Sequence, residues 1–450
     1  MFLLLIAGIL IAFSAPVQAP PPGYRPAEVL LGTAVLTAVG ALSGLLLYLA
    51  APRPVFLTSE EHLAWERRVT RLIWLGRGIL LGSYLYTVHG LGWPVFVWAT
   101  LGLQRTIALD YVVILAPFLA SVLGALIIGF PAQRRTSGRD WTLGSYLVFV
   151  LRHYWAFLLI PWFLYVVALD VMEMLVEPGL DQTWRAPLEW LVVLGLMALL
   201  YAFWPLALRW IWSTSRLPDG ALRDRLEALC RRAGVGYRDM LIWRSPVGGL
   251  ANAAVAGLAA PVRYILLTDT LLERLGPQEV EAVLGHELGH VRRRHIPYYV
   301  LFAVGFIALA VVADIWLGGA LPEPSLSPGA EASLLDLLVA VVLVGAYWGV
   351  LFGWLSRRFE READLVAADM VGDAEVFAQA LERIARINGR PLERPGWRHF
   401  SIAERTRFVR EAAVDSALGT RAVAQVILIR RALLAATMVA VAAGLACVLL

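Results

Sequence analysis

Two histidines four residues apart enclose a glutamate in the run His286-Glu287-Leu288-Gly289-His290. On a helix, positions i and i+4 share a face, so both imidazoles project together and can hold one Zn²⁺. Glu287 lies beside them, placed to take a proton from water that such a metal acidifies. Leu288 should turn into a core, and Gly289 leaves room for a close neighbour. A metal site of this kind takes a third protein ligand and keeps one position open. No Gly-x-x-His follows His290, and the pair Asp219-Gly220 precedes the motif in a polar stretch, so neither supplies it. A distant glutamate is the remaining source. The stretch Ser356-Arg-Arg-Phe-Glu360-Arg-Glu-Ala-Asp364 offers Glu360 as ligand, with Asp364 one helical turn on to orient a ligand histidine. The competing reading is a solvated helix face on which Arg357, Glu360 and Asp364 form surface pairs. Glu362 points away and is assigned to solvent. His295, five residues beyond His290, reads as a surface residue near lipid headgroups, and Arg292-Arg293-Arg294 as an interfacial anchor.

These residues need elements to carry them. The segment 276–295 reads as a helix, with Pro277 in its first turn and Val280, Val283 and Leu284 at helical spacing. It then runs without a break into an apolar stretch long enough to span a bilayer. The 450 residues are 59% hydrophobic and only 16% charged, which describes a polytopic membrane protein. Spans are expected near 28–50, 74–99, 107–130, 146–169, 187–212, 297–319, 333–355 and 428–450. Residues 1–19 read equally as a signal peptide or a further span, which makes eight or nine transmembrane helices. All basic residues are Arg, and the net charge is +4. That excess collects in alternate loops, as in proteins that keep base inside, so nucleic acid is excluded as a partner. Loops 51–73 and 131–145 are Arg-rich, as are segments 213–296 and 356–427. Loop 170–186 is mainly acidic, and loop 320–332 has no base. The two large polar segments therefore share the cytoplasmic side, joined by the hairpin 297–355, and can build one site. Cys230 and Cys447 stand far apart with no Cys-x-x-Cys, which excludes a thiolate metal site.

HExxH, a transmembrane hairpin and Ser-Arg-x-x-Glu-x-x-Ala-Asp together resemble the integral-membrane zinc metallopeptidases that include the prenyl-protein (CaaX) endopeptidase and the HtpX-type protease. Residues 250–291, 398–411 (with His-x-Ser-x-x-x-Arg) and 217–235 extend the resemblance over about 217–411. It implies His286, His290 and Glu360 as ligands of one zinc ion and Glu287 as general base. It implies His399 at the oxyanion or substrate carbonyl, and Arg405 paired with a carboxylate such as Asp364. Asn252, before an edge strand, would help to hold an extended substrate. Residues 1–212 depart from the family's motifs, so no substrate class carries over.

The expected architecture is mainly α and polytopic, with a cytoplasmic zincin-like α+β peptidase domain at 213–427, split by the hairpin. An N-terminal membrane region (1–212) precedes it and a C-terminal transmembrane helix (428–450) follows. Within the domain, a helix is expected at 218–233, strands near 239–243, 251–256 and 262–268, and a helical segment 356–418 with a loop at 388–398. The expected function is zinc-dependent endoproteolysis of peptide or membrane-protein substrates at the cytoplasmic face of a bacterial inner membrane, with the lipid bilayer as constant partner. The alternative is a catalytically silent membrane scaffold or regulator of the same fold.

Overall fold

The computed structural model describes residues 1–14, 19–50, 59–104, 106–137, 141–176, 182–212, 214–244, 250–316 and 345–449. Its residues fall into two compact units, dividing between Tyr201 and Ala202. The first is helical. Pro26–Leu46, Leu109–Arg135 and Leu143–Met174 are long and apolar enough to cross a membrane; they overlap most of the expected spans 28–50 and 107–130 and all of 146–169. The helix Phe2–Phe13 packs into this unit, with Leu5 and Ala12 buried and Gly8 against the Phe118 ring. The expected span 74–99 is not one helix. A helix begins at Ser59, and after Gly90 the chain turns through Gly92 at φ +71° before Trp93–Val95. The sequence His89-Gly-Leu-Gly-Trp-Pro94 explains the break, since glycine alone adopts that backbone freely. The expected span 187–212 falls on the helix Gln182–Ile211, which ends one residue short of it.

The second unit carries a four-stranded sheet ordered β1-β2-β4-β3, with β1 Thr214–Arg216, β2 Asp239–Trp243, β3 Ala253–Ala256 and β4 Tyr264–Thr268. β2 and β4 run parallel, while β1 and β3 pair antiparallel at the edges. All five residues of β4 are buried, as suits a central strand of Tyr, Ile and Leu. Helix α1 (Ala221–Ala233) lies between β1 and β2 in the chain. Helices α2 (Asp269–Arg274) and α3 (Pro277–Arg292) follow β4. Leu226, Leu229, Met240, Ile265, Leu284 and Leu288 share one core, so Leu288 does turn inward. Three strands and the first helix match expectation; β1 and α2 are additional.

Beyond α3 come α4 (His295–Trp316), α5 (Gly353–Val371), α6 (Ala374–Ile387), α7 (Ile402–Val414) and α8 (Ser416–Leu449). Ser416–Gly444 in α8 is also long and apolar enough to span a membrane. The segment 356–418 holds most of α5, all of α6 and α7 and the start of α8; Gly372 at φ +77° ends α5 and Asp373 caps α6. The expected span 297–319 is described as α4 up to Trp316. Residues 333–344 of the next span and the loop 320–332 lie outside the described residues, as do 51–58, 138–140 and 177–181 of the charged loops. The expectation of eight or nine spans therefore rests in part on those residues.

One expectation is corrected. Helix α3 does not run straight into α4: it ends at Arg292, and Arg294 has φ +54° before a new helix starts at His295. A non-glycine residue there is held by its surroundings against a steric cost.

Helices α3 and α5 pack through small residues. A Cβ placed on Gly289 would lie 3.1 Å from the Ala363 Cα and carbonyl oxygen, whereas one on Gly285 would meet the Ala367 Cα at 3.5 Å. Gly289→Ala should therefore force the helices apart and cost about 1–3 kcal/mol, as overpacking does. Gly285→Ala should be near neutral. Thermal unfolding of the two variants checks this; equal melting temperatures would contradict it.

Candidate metal centre

The close approach at Gly289 brings Glu360 under the two histidines. Their Nε2 atoms are 3.2 Å apart. The Glu360 carboxylate lies 3.5 Å from His286 Nε2 and 3.4 Å from His290 Nε2, one oxygen toward each ring. Among the described residues these three form a group able to hold a metal ion. Ligands about 2.0–2.1 Å from a tetrahedral zinc ion stand about 3.3 Å from each other, close to these separations. Glu360 is 3% exposed, and its Oε2 is buried without a well-directed hydrogen bond. Two nitrogens and a carboxylate oxygen, with no thiolate, suit Zn²⁺ among common ions.

The surroundings fix the rings. His286 Nδ1 lies 2.9 Å from Asp364 Oδ1, so it donates there and turns Nε2 toward Glu360, the nitrogen a metal would take once its proton is lost. Asp364 is fully buried and also accepts two hydrogen bonds from Arg405, Nη2 to Oδ1 at 2.6 Å and Nε to Oδ2 at 2.9 Å. Ser401 caps α7 and so fixes where Arg405 enters the site. Glu360 and Asp364 are thus not a solvated face: both are buried, because α5 turns that face onto α3 and α7.

Burial alone would lower the His286 pKa, but hydrogen bonds and charge from Asp364 and Glu360 prevail and raise it to about 10. Burial likewise opposes ionisation of Glu360, yet the His286, His290 and His399 rings around it, with the charge on His286, hold its pKa well below the usual range. Asp364, opposed by burial and favoured by Arg405, also lies low. In the metal-free protein a proton on His286 therefore supplies positive charge between two carboxylates.

His399 is brought to the same place, its Nδ1 2.9 Å from Glu360 Oε2. Glu287 is half-buried on α3 and, among the described residues, has no hydrogen bond or ion pair. Asn252 is exposed just before edge strand β3; Thr268 Oγ1 binds its backbone N–H (2.9 Å) and carbonyl (3.1 Å). A cavity of about 540 Å³ adjoins His290 and is lined by Gly257, Leu258, Arg263 and Arg292 among others.

Residues 216–434 match the family model described as Peptidase family M48. That stretch belongs to peptidase family M48. Over 178 residues the chain is 28% identical to "Protease HtpX" of Pseudomonas paraeruginosa, covering 39% of this chain and 60% of that protein. Over 170 residues it is 29% identical to "Protease HtpX homolog" of Methanopyrus kandleri, 37% of this chain and 51% of that one. The chain thus spans less than two thirds of these curated relatives. The crystal structure of S. mikatae Ste24p superposes with a TM-score of 0.53 at 18% identity, over 87% of this chain and 99% of that one, and shares the fold. The M48 stretch contains every sequence-derived candidate of the site, from Asn252 to Arg405.

Two residues were assigned wrongly from sequence. His295 is buried rather than at the surface, and Glu362 is buried at 1% exposure rather than in solvent. His295 Nε2 binds Glu362 Oε2 at 2.8 Å, and Arg430 on α8 donates to the same oxygen. Arg293 also approaches Glu362, at 3.5 Å, so it is not simply a headgroup anchor. The signal missed was that His295 and Glu362 are opposite partners within a fold that buries both.

Proposed function

We propose that this M48 chain is a membrane-embedded, zinc-dependent endopeptidase. The observation that carries the reading is the convergence of His286 Nε2, His290 Nε2 and the buried Glu360 carboxylate, at separations of 3.2–3.5 Å, next to Glu287, which is unpaired among the described residues. His286, His290 and Glu360 would hold one zinc ion per chain. Zinc bound there supplies Lewis acidity toward a scissile carbonyl and acidifies water. Glu287 takes the proton of the attacking water and passes it to the leaving amine. Asp364, held by Arg405, keeps the His286 Nδ1 proton in place and its Nε2 free. His399, anchored on Glu360 through Nδ1, is available through its other nitrogen to a substrate carbonyl or its developing charge. An extended peptide would add to the exposed edge of β3, near Asn252, with the cavity beside His290 receiving its side chains.

Substrates are peptides or membrane-protein segments, because apolar helices flank the site on both sides in sequence. The Arg distribution between spans supports a site on the cytoplasmic face of a bacterial inner membrane.

Zinc must displace the proton held by His286, whose pKa is raised to about 10. Zinc affinity should therefore rise with pH, by about tenfold per unit while one proton is released, and level off near that value. The purified protein should contain one zinc per chain and cleave an unstructured protein such as casein. Chelation should stop cleavage, and zinc should restore it. Cleavage by zinc-free protein, or binding independent of pH from about 6 to about 9, below the raised His286 value, would overturn the reading.

A further inference from the structure

His290 holds its ring through a different device from His286, and no carboxylate touches its Nδ1. Instead His290 Nδ1 lies 2.7 Å from His295 Nδ1. His295 Nε2 lies 2.8 Å from Glu362 Oε2, and Arg430 of α8 donates to that same oxygen. The proton positions follow from one end. The Arg430 guanidinium donates to Glu362 Oε2 and its positive charge favours the carboxylate there, so His295 Nε2 is the donor to that oxygen. A neutral His295 then has a bare Nδ1. Only one proton fits between the two Nδ1 atoms, and it sits on His290. That leaves His290 Nε2 as a lone pair facing Glu360, the form a metal takes.

The backbone supports this placement. In an unbroken helix His295 would lie five residues, about 140°, around from His290. The positive φ of Arg294 redirects the chain and returns His295 to the site. There its ring stacks on Phe359, centroids 4.3 Å apart and planes at 7°, while the Arg430 guanidinium lies 5.4 Å from the same Phe359 ring. His295 and Glu362 are both buried, so the strained turn and two desolvated polar side chains serve one contact.

We infer that Arg430, Glu362 and His295 form a hydrogen-bond relay that fixes the tautomer and orientation of His290 for zinc, so that the C-terminal apolar helix α8 is a positioning part of the metal centre rather than a membrane anchor alone. The inference rests on the zinc reading above. These three are positioning residues: none touches substrate, and they act through His290.

The test is zinc affinity of the full-length protein in detergent, measured by competition with a chromophoric chelator, together with the visible spectrum of the cobalt-substituted protein. His295→Phe keeps the stack on Phe359, leaves Glu362 paired with Arg430, and removes the acceptor for His290. It should weaken zinc binding by about 10–100-fold and shift the cobalt bands. His295→Asn restores an acceptor near the Nδ1 position and should recover most of that loss. Arg430→Gln should weaken binding in the same direction with His295 intact. Wild-type affinity in folded His295→Phe would overturn the relay, as would equal losses in the Phe and Asn variants. Should His295→Phe not fold, Arg430→Gln with unchanged affinity and cobalt spectrum overturns it. His290→Ala separates the two claims: if it retains zinc, the metal reading itself fails; if it loses zinc while His295→Phe does not, only the relay fails.

Discussion

Glu287→Gln should leave zinc bound and reduce peptide hydrolysis by about 10²–10⁴-fold, the usual worth of a positioned general base. That corresponds to about 3–5 kcal/mol of lost transition-state stabilisation. The substitution is nearly isosteric and neutral, and it removes only the capacity to take a proton. Glu287 is half-buried and has no hydrogen bond or ion pair among the described residues, so little structure depends on its charge. The expected signature is therefore a collapse of kcat with KM, zinc content and melting temperature near wild type. Two results would contradict it. Loss of zinc would make Glu287 a ligand, and retained turnover would move the base elsewhere, with His399 next to hand because it reaches Glu360 at 2.9 Å.

The contrast with Glu360→Gln sharpens the assignment. Glu360 makes three contacts to imidazoles within 3.5 Å and is buried, so its neutral replacement should reduce zinc occupancy before any step of hydrolysis. The two carboxylates differ in environment more than in sequence context. One is surrounded by imidazoles and held ionised; the other makes no hydrogen bond or ion pair among the described residues.

Local patterns in the sequence carried the strands of 239–268 and the helix of HExxH, because period-two and period-3.6 burial are visible in single residues. The Ala363 and Gly289 contact was half legible: glycine announced a close approach, but not what approaches. Glu360 and Asp364 could be picked out only as an i, i+4 pair in a motif. Nothing local said that this face would be buried under α7. His295 and Glu362 were misread for the same physical reason. A histidine in an Arg run and a glutamate between Arg361 and the Ala-Asp pair look solvated until the chain turns at Arg294 and α8 delivers Arg430. Long-range charge pairing leaves no periodic trace, and a positive φ at arginine has no residue signature as it has at Gly92 or Gly372. Charge and hydropathy marked the apolar helices but could not show that the stretch 74–99 breaks at Gly92.

Arg405→Leu should destabilise the metal-free protein by about 3–5 kcal/mol, the cost of leaving a buried charge without its partner. Asp364 is fully buried, and two of its three charge-assisted hydrogen bonds come from the Arg405 guanidinium at 2.6 and 2.9 Å. Removing that side chain leaves a carboxylate with His286 alone. The pH dependence gives the cause away. The folded-state pKa of Asp364 is depressed, with burial opposing and Arg405 favouring the charge, so its contribution to stability is present above the unfolded carboxylate value and is lost as pH falls through the folded one. In Arg405→Leu that depression shrinks, so the deficit should be greatest near neutral pH and narrow in acid, where Asp364 takes up a proton in both proteins. Adding Asp364→Asn should recover part of the loss, because the buried charge leaves with its partner. Chemical unfolding of wild type, both single variants and the double variant measures this coupling directly. Additive losses would mean that Arg405 stabilises α7 by packing alone. A favourable coupling, accompanied by weaker zinc binding in both single variants, would tie the stability of this ion pair to the orientation of His286, since the same Asp364 oxygen that accepts from Arg405 Nη2 also accepts from His286 Nδ1.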